Sequence, residues 1–298
     1  MRAFYSDTFV LPLPEGHRFP MQKYARLREE VLTQGIVPPE RLHAAEPVAK
    51  SDLLRCHDRD YVRRVQAGAL STQEQRRIGF PWSSALARRS LCTVGGTIAA
   101  CRAALEDGAA ANLAGGTHHA FSEHGEAYCV FNDAAVAARA MLAEGRARRV
   151  AILDCDVHQG NGTASILRGD RATFTFSIHG EKNYPVHKEQ SDLDIELPDG
   201  TTDERYLPLV EEGVRRALAA NGPDLAIYLA GADPFERDRL GRMKVTIAGL
   251  AERDRIVFDI CRAAGVPVAV VMAGGYAPDI EDIVRIHVQT IRTAAGAS

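Results

Sequence analysis

The stretch Val150-Ala151-Ile152-Leu153-Asp154-Cys155-Asp156-Val157-His158 decides how this chain folds. Its first four residues are a continuous apolar run, too short to prefer a helix and suited to a strand buried on both faces of a parallel sheet. The run ends in Asp154, Asp156 and His158, spaced two apart, and residues at that spacing in extended chain project to one side. Four other runs of strand length behave alike. Residues 110–113 lead into Gly115-Gly116-Thr117-His118-His119, 173–178 into Ser177-Ile178-His179, 225–230 into Gly231-Ala232-Asp233, and 266–272 into Gly274-Gly275-Tyr276. Segments of helical period alternate with them, at 85–106, 133–144, 204–220, 247–264 and 279–293. That order implies βαβ crossovers and a three-layer α/β/α domain spanning residues 1–298, with no repeat or linker to divide it. The segment 38–78 is more charged and less regular and yields no assigned element.

In open parallel sheets the carboxyl ends of the strands share one edge, where ligands bind, so five segments are expected to aim polar groups at a single crevice. Composition agrees with a folded enzyme-like domain: 46% hydrophobic and 25% charged residues exclude disorder, collagen and coiled coil. A formal charge of −3 from 36 basic and 39 acidic residues gives no reason to expect nucleic acid or an anionic membrane as partner. The longest uncharged stretch, 263–278, is interrupted by Gly and Pro and is shorter than the roughly 20 apolar residues of a membrane span. Arg2, Ser6 and Asp7 interrupt the opening of the chain, which does not read as a signal peptide, so the expected location is the cytoplasm. Cys56, Cys92, Cys101, Cys129, Cys155 and Cys261 lack a paired spacing and read as free thiols.

Asp156 and His158 with the distant Asp233 make one imidazole and two carboxylates, a ligand set that leaves positions open for water and substrate. Zn²⁺ fits it, and so does Fe²⁺, because mixed nitrogen and oxygen donors separate the two weakly. Taken alone, Asp154 and Asp156 could equally cap the turn at Gly160-Asn161-Gly162; convergence with the other strand ends favours the metal. His118 and His119 follow a Gly-rich turn that lets both imidazoles approach one point, where they offer proton transfer near neutral pH. Tyr276 beside a metal becomes a donor to an oxyanion. Together these groups describe hydrolysis of a carbonyl compound such as an amide. No nucleophile elbow, Walker loop or dinucleotide fingerprint competes, and the neighbours of Cys129 and Cys155 suit packing better than nucleophilic catalysis.

These motifs resemble the histone deacetylase superfamily, which includes class IV histone deacetylases and bacterial deacetylase-like amidohydrolases. The match rests on residues 115–120, on Tyr128-Cys129-Val130-Phe131-Asn132-Asp133, on 154–162, on Gly231-Ala232-Asp233 and on Gly274-Gly275-Tyr276, with Cys56-His57-Asp58-Arg59-Asp60-Tyr61 as a weaker early element. The resemblance implies the arginase/deacetylase fold, with a mainly parallel eight-stranded sheet, and a divalent metal on Asp156, His158 and Asp233. It implies His119 as general base and acid, His118 as its electrostatic partner and Tyr276 as the donor that polarises the carbonyl. By the same resemblance Asp154 supports His118, and Asp154, Asp156, His158, Ser177 and Ile178 hold a structural K⁺. Asn161 falls where many members place an Asp behind His119, and an amide there adds no full negative charge. Tyr128, Tyr184, Leu240, Gly274 and Gly275 are expected to shape the substrate channel.

The implied activity is hydrolysis of an N-acyl amine, with an acyl-lysine-like side chain as the expected substrate and a small-molecule amide or an acetylpolyamine as alternatives on the same fold. Residues 78–82, Ile-Gly-Phe-Pro-Trp, carry no acid where many lysine deacetylases grip the peptide backbone. A ureohydrolase needs a second metal and a D-x-H-x-D pattern, whereas Gly160 follows His158 by two. A non-catalytic acyl-amine binding protein is the reading from another class; retention of His118, His119 and Tyr276 counts against it.

Overall fold

The computed structural model describes residues 1–7, 11, 13–14 and 16–296. They form eight strands: β1 (Arg2–Tyr5), β2 (Leu42–Ala44), β3 (Ala109–Asn112), β4 (Val150–Asp154), β5 (Thr173–Gly180), β6 (Leu193–Leu197), β7 (Leu225–Leu229) and β8 (Val268–Val271). The helices are α1 (Lys23–Thr33), α2 (Lys50–Leu53), α3 (Arg59–Ala67), α4 (Thr72–Ile78), α5 (Ser84–Asp107), α6 (Asp133–Ala143), α7 (Asn161–Leu167), α8 (Asp203–Asn221), α9 (Ile247–Ala263) and α10 (Ile280–Gly296). The sheet runs β2-β1-β3-β8-β7-β4-β5-β6, with each pair of neighbours parallel. The expected α/β fold with an eight-stranded parallel sheet is therefore what the chain adopts.

Alternation along the strands sorts the core into two layers. Ala151, Leu153, Ala226, Tyr228, Val268 and Val270 belong to one apolar cluster, with residues of α1, α8, α9 and α10. Val150, Ile152, Leu225, Ile227, Ala269 and Val271 face the other way, into a cluster with α5 and α6. Burial on both faces is why these strands read as unbroken apolar runs rather than as alternating patterns.

The segment without assigned elements, 38–78, holds a 3-10 turn at Pro39–Arg41, β2 and three short α-helices. Their signals are local caps: Asp58 accepts from the N–H groups of Asp60 and Tyr61 at the start of α3, and Ser71 and Glu74 form a reciprocal capping box on α4. Each helix is too short for its period to stand out above its charge. β1, β6, α1 and α7 were likewise not expected from apolar runs; in β6 the three central residues are only partly buried or exposed.

Candidate active site

The four central neighbours of the sheet, β3, β8, β7 and β4, carry four of the five segments singled out by their polar endings, and the fifth lies on β5, next to β4. Adjacent strand ends in a parallel sheet open to one side, so topology alone brings His118-His119, Gly274-Gly275-Tyr276, Asp233 and Asp154–His158 into one crevice.

The turn after β3 is pinned by Asp133, the first residue of α6. Its carboxylate accepts from the N–H of Gly116 at 3.0 Å, from the N–H of Thr117 at 2.7 Å, and from the hydroxyls of Thr97 at 2.6 Å and Thr117 at 2.8 Å. Asn132 caps α6 through Oδ1 while its Nδ2 donates to the carbonyls of His118 and Ala120. His57 and Tyr61 of the early motif hold this segment from behind: His57 Nε2 accepts from the N–H of Asn132 at 2.9 Å, and Tyr61 donates to the carbonyl of Val130 at 2.8 Å. Gly116 sits at φ 78°, and a Cβ there would stand 2.5 Å from Ala273, so only glycine lets β3 and β8 deliver their loops side by side.

Both histidines are buried, with ring centroids 4.1 Å apart. His118 Nδ1 faces Asp154 Oδ2 at 2.7 Å, and His119 Nδ1 faces Asn161 Oδ1 at 2.7 Å. Each acceptor places a proton on Nδ1; this leaves Nε2 of His119 as its free ring atom, while Nε2 of His118 lies 3.8 Å from Asp156 Oδ1. Their environments separate the two rings. Burial depresses His118, but the Asp154 and Asp156 carboxylates outweigh it and hold its pKa at about 9. His119 lies well below the ordinary histidine range because of burial and the neighbouring His118 and His158. One ring is poised to carry charge while its neighbour stays neutral and basic at Nε2.

Asp156, His158 and Asp233 each offer a ligand atom within 4.8 Å of the others. His158 Nδ1 lies 3.0 Å from Asp156 Oδ1 and 3.2 Å from Asp233 Oδ2, and Asp233 Oδ2 is buried without a hydrogen-bond partner. The remaining oxygens are oriented by backbone: Gly274 N–H donates to Asp156 Oδ2 at 2.7 Å and Val157 N–H to Asp233 Oδ1 at 2.9 Å. Gly274 is obligatory, since a Cβ would fall 1.9 Å from Asp233 Oδ2. Behind the site Arg253, paired with Asp254, donates to the carbonyl of Gly231 at 2.6 Å and fixes the approach to Asp233. Two converging buried carboxylates, one with an orphaned oxygen, call for a cation, and the donor set of one imidazole nitrogen and carboxylate oxygens fits a divalent metal.

The cleft in front of this trio is lined by Phe19, Tyr24, His118, His119, Ala127, Tyr128, Asp156, His158, Gly274 and Tyr276, among others. Burial and the Asp233 and Asp156 charges push the Tyr276 phenol well above its ordinary pKa, so it keeps its proton. Its backbone N–H donates to Asp238 Oδ2 at 2.6 Å. Tyr184 stands edge-on to His119, with centroids 5.0 Å apart. Tyr184, Leu240 and Gly275, expected at the channel, are not among the lining residues; Leu240 occupies a turn closed by Asp238 and its carbonyl accepts from Asn183. Ser177, of the expected K⁺ set, has its hydroxyl 2.9 Å from His179 Nδ1. Cys129 and Cys155 are buried, and burial raises both thiols.

Sequence reasoning missed Phe19, Lys23 and Glu126. Lys23 is buried with Nζ 3.2 Å from the carbonyl of Ala273 and 5.6 Å from the Tyr276 ring, so it braces the Gly-Gly-Tyr loop from below. Nothing in α1 distinguishes this lysine from a surface one. Glu126 accepts from Asn161 and from Tyr184, two residues far away in sequence.

Residues 17–291 match the histone deacetylase domain family. An uncharacterised protein of Picosynechococcus is 45% identical over 95% of this chain and 94% of its own length. Histone deacetylase 2 of Arabidopsis thaliana is 29% identical over 91% of this chain and 72% of its own, and the histone deacetylase-like amidohydrolase of Pseudomonas aeruginosa 28% over 89% and 74%. Among solved structures, an HDAC homologue from Aquifex aeolicus superposes with a TM-score of 0.84 at 20% identity, covering 99% of this chain and 84% of that one. The HD domain of HDA15 gives 0.83 at 22%, covering 99% and 88%.

Proposed function

The chain belongs to the histone deacetylase family, and from that premise we propose that it is a metal-dependent amidohydrolase that removes an acyl group from an amine, with an acyl-lysine-like side chain as substrate. The observation that carries this reading is the trio Asp156, His158 and Asp233 with its orphaned Asp233 Oδ2, facing two imidazoles and a protonated phenol across one cleft. Zn²⁺ or Fe²⁺ held by these three residues would supply Lewis acidity toward a water and an amide carbonyl.

The chain's own groups account for the proton movements. His119 Nε2 takes a proton from the attacking water, because Asn161 holds its Nδ1–H and its environment keeps it neutral. His118, oriented by Asp154 through Nδ1, stabilises the negative charge that builds on the substrate. Tyr276 donates its hydroxyl proton in a hydrogen bond to the substrate oxygen. The proton taken by His119 then passes to the departing amine, and the second proton of the water moves from the new carboxylic acid to that amine, so a carboxylate and an ammonium leave the site. The structural K⁺ assigned by resemblance to Asp154, Asp156, His158, Ser177 and Ile178 remains part of this proposal, as does a cytoplasmic location; no helix among the described residues is long and apolar enough to cross a membrane.

Metal-stripped and reconstituted protein tests the reading against acetyl-, trifluoroacetyl- and long-chain acyl-lysine peptides, small amides and acetylpolyamines. Chelation should abolish turnover and Zn²⁺ or Fe²⁺ should restore it, and Asp156→Ala, His158→Ala and Asp233→Ala should each lose stoichiometric metal. Metal-loaded protein inert toward the whole panel would replace this reading with that of a binding protein.

A further inference from the structure

Asn161 presents a problem of direction. Its amide oxygen and nitrogen are nearly alike in shape, and a flipped amide would turn its NH₂ toward His119 Nδ1. His119 would answer by moving its proton to Nε2, which removes the lone pair from the cleft side. An Asp at this position, being acceptor-only, could not allow that exchange. Here the acceptor-only group lies one residue further out: Glu126 Oε1 accepts from Asn161 Nδ2 at 2.8 Å and from the Tyr184 hydroxyl at 2.7 Å. Glu126 Oε2 faces His124 Nε2 at 3.6 Å. Burial disfavours its charge, but the bonds from His124, Tyr184 and Asn161 outweigh burial and hold Glu126 below the ordinary carboxylate range.

We propose that Glu126 is a positioning residue that sets the direction of the chain Glu126–Asn161–His119, locking the proton on His119 Nδ1 and the lone pair on Nε2. A carboxylate offers Asn161 only acceptors, so the amide NH₂ must point to Glu126 and its carbonyl to His119. The same Glu126 oxygen holds Tyr184, so the His119 ring and the phenol that stands edge-on to it share one anchor. This assignment rests on the deacylase reading for its kinetic consequence and not for its tautomer.

Glu126→Gln is the test because it keeps size and contacts but lets the chain run either way. In the Zn²⁺-loaded holoenzyme with ¹⁵N-labelled histidine, and with His119 assigned by its loss in His119→Ala, the native ring should be a single Nδ1–H tautomer. Glu126→Gln should add the Nε2–H form. On an acyl-lysine peptide the variant should lose about 10- to 100-fold in kcat, the range for removing a supporting partner, with KM within about threefold. Asn161→Asp, which puts an acceptor-only group directly on His119, should make Glu126→Gln harmless: the double variant should show one tautomer and kcat within about threefold of Asn161→Asp alone. Tyr184→Phe should move KM and leave the tautomer untouched. An unchanged His119 spectrum in Glu126→Gln, or equal losses from Glu126→Gln with and without Asn161→Asp, overturns the proposal. A protein that turns over no acyl-amine, yet shows the tautomer shift, overturns the deacylase reading and leaves Glu126 in its role.

Discussion

Tyr276 and His119 both flank His158, with ring centroids 6.5 and 5.9 Å from it, and each is kept in one protonation state by its surroundings rather than by its own chemistry. The phenol is raised by burial and nearby carboxylates, the imidazole lowered by burial and nearby imidazoles. Tyr276→Phe should therefore retain metal and fold but lose about 10²- to 10³-fold in kcat, the usual effect of deleting one oxyanion donor. Wild-type turnover of an unactivated acetamide by that variant would remove Tyr276 from the role. His118, His119, Asp156, His158, Asp233 and Tyr276 were legible because each closely follows an apolar run, whereas Phe19, which also lines the cleft, does not. Those that hold them, Lys23 and Glu126, were not, because their partners lie far away in sequence and only packing joins them. Asp133 was quoted within a motif, yet its service to the turn at Gly116 and Thr117 appears only when α6 is set against β3.

At the scale of elements, α3 contributes to the site although it never reaches it. His57, just ahead of α3, accepts from Asn132 N–H through Nε2, and burial pushes its pKa down to about 4. Protonating Nε2 would end that hydrogen bond at the start of α6. The unfolded chain binds this proton at about pH 6.5, the folded chain only near pH 4, so stability falls as pH drops through that window. The single-site contribution is on the order of 3 kcal/mol. His57→Gln keeps an acceptor without the titration, so its urea-derived stability should fall less than wild type between pH 6.5 and pH 4.5. Parallel curves would show that His57 does not set the slope. The strands and long helices were legible because burial on two faces and extended helical period write themselves over many residues. The short helices between 38 and 78 were not, since a cap and two turns leave too few apolar positions to mark a period.

For the whole molecule, strand order converts a list of motifs into a site. β3, β8, β7 and β4 lie side by side, so four loops from distant parts of the chain meet without any of them needing to be long. The charges of the molecule bear on what enters. Phe19, Tyr24, Tyr128 and Tyr276 give the cleft aromatic walls, which suit an aliphatic chain. The nearby acids are engaged: Asp238 accepts from the N–H groups of Leu240, Gly241 and Tyr276, and Glu126 from Asn161 and Tyr184. Leu240, seven residues after Asp233, carries no charge, and its carbonyl is held by Asn183. A free carboxylate at a partly exposed mouth would attract a second ammonium by about 1 to 4 kcal/mol at 4 Å, and a leucine supplies none of this. Residues 78–82 likewise offer no carboxylate to a peptide backbone. The expected enzyme handles simple acyl-lysine substrates with little dependence on flanking sequence and shows no preference for acetylpolyamines. Comparison of kcat/KM for acetyl-lysine peptides of varied flanks with N-acetylputrescine and acetylspermidine checks this. A clear advantage for the polyamines would mean that Asp238 leaves its present partners to meet the second cation, and Asp238→Asn would then abolish the advantage selectively.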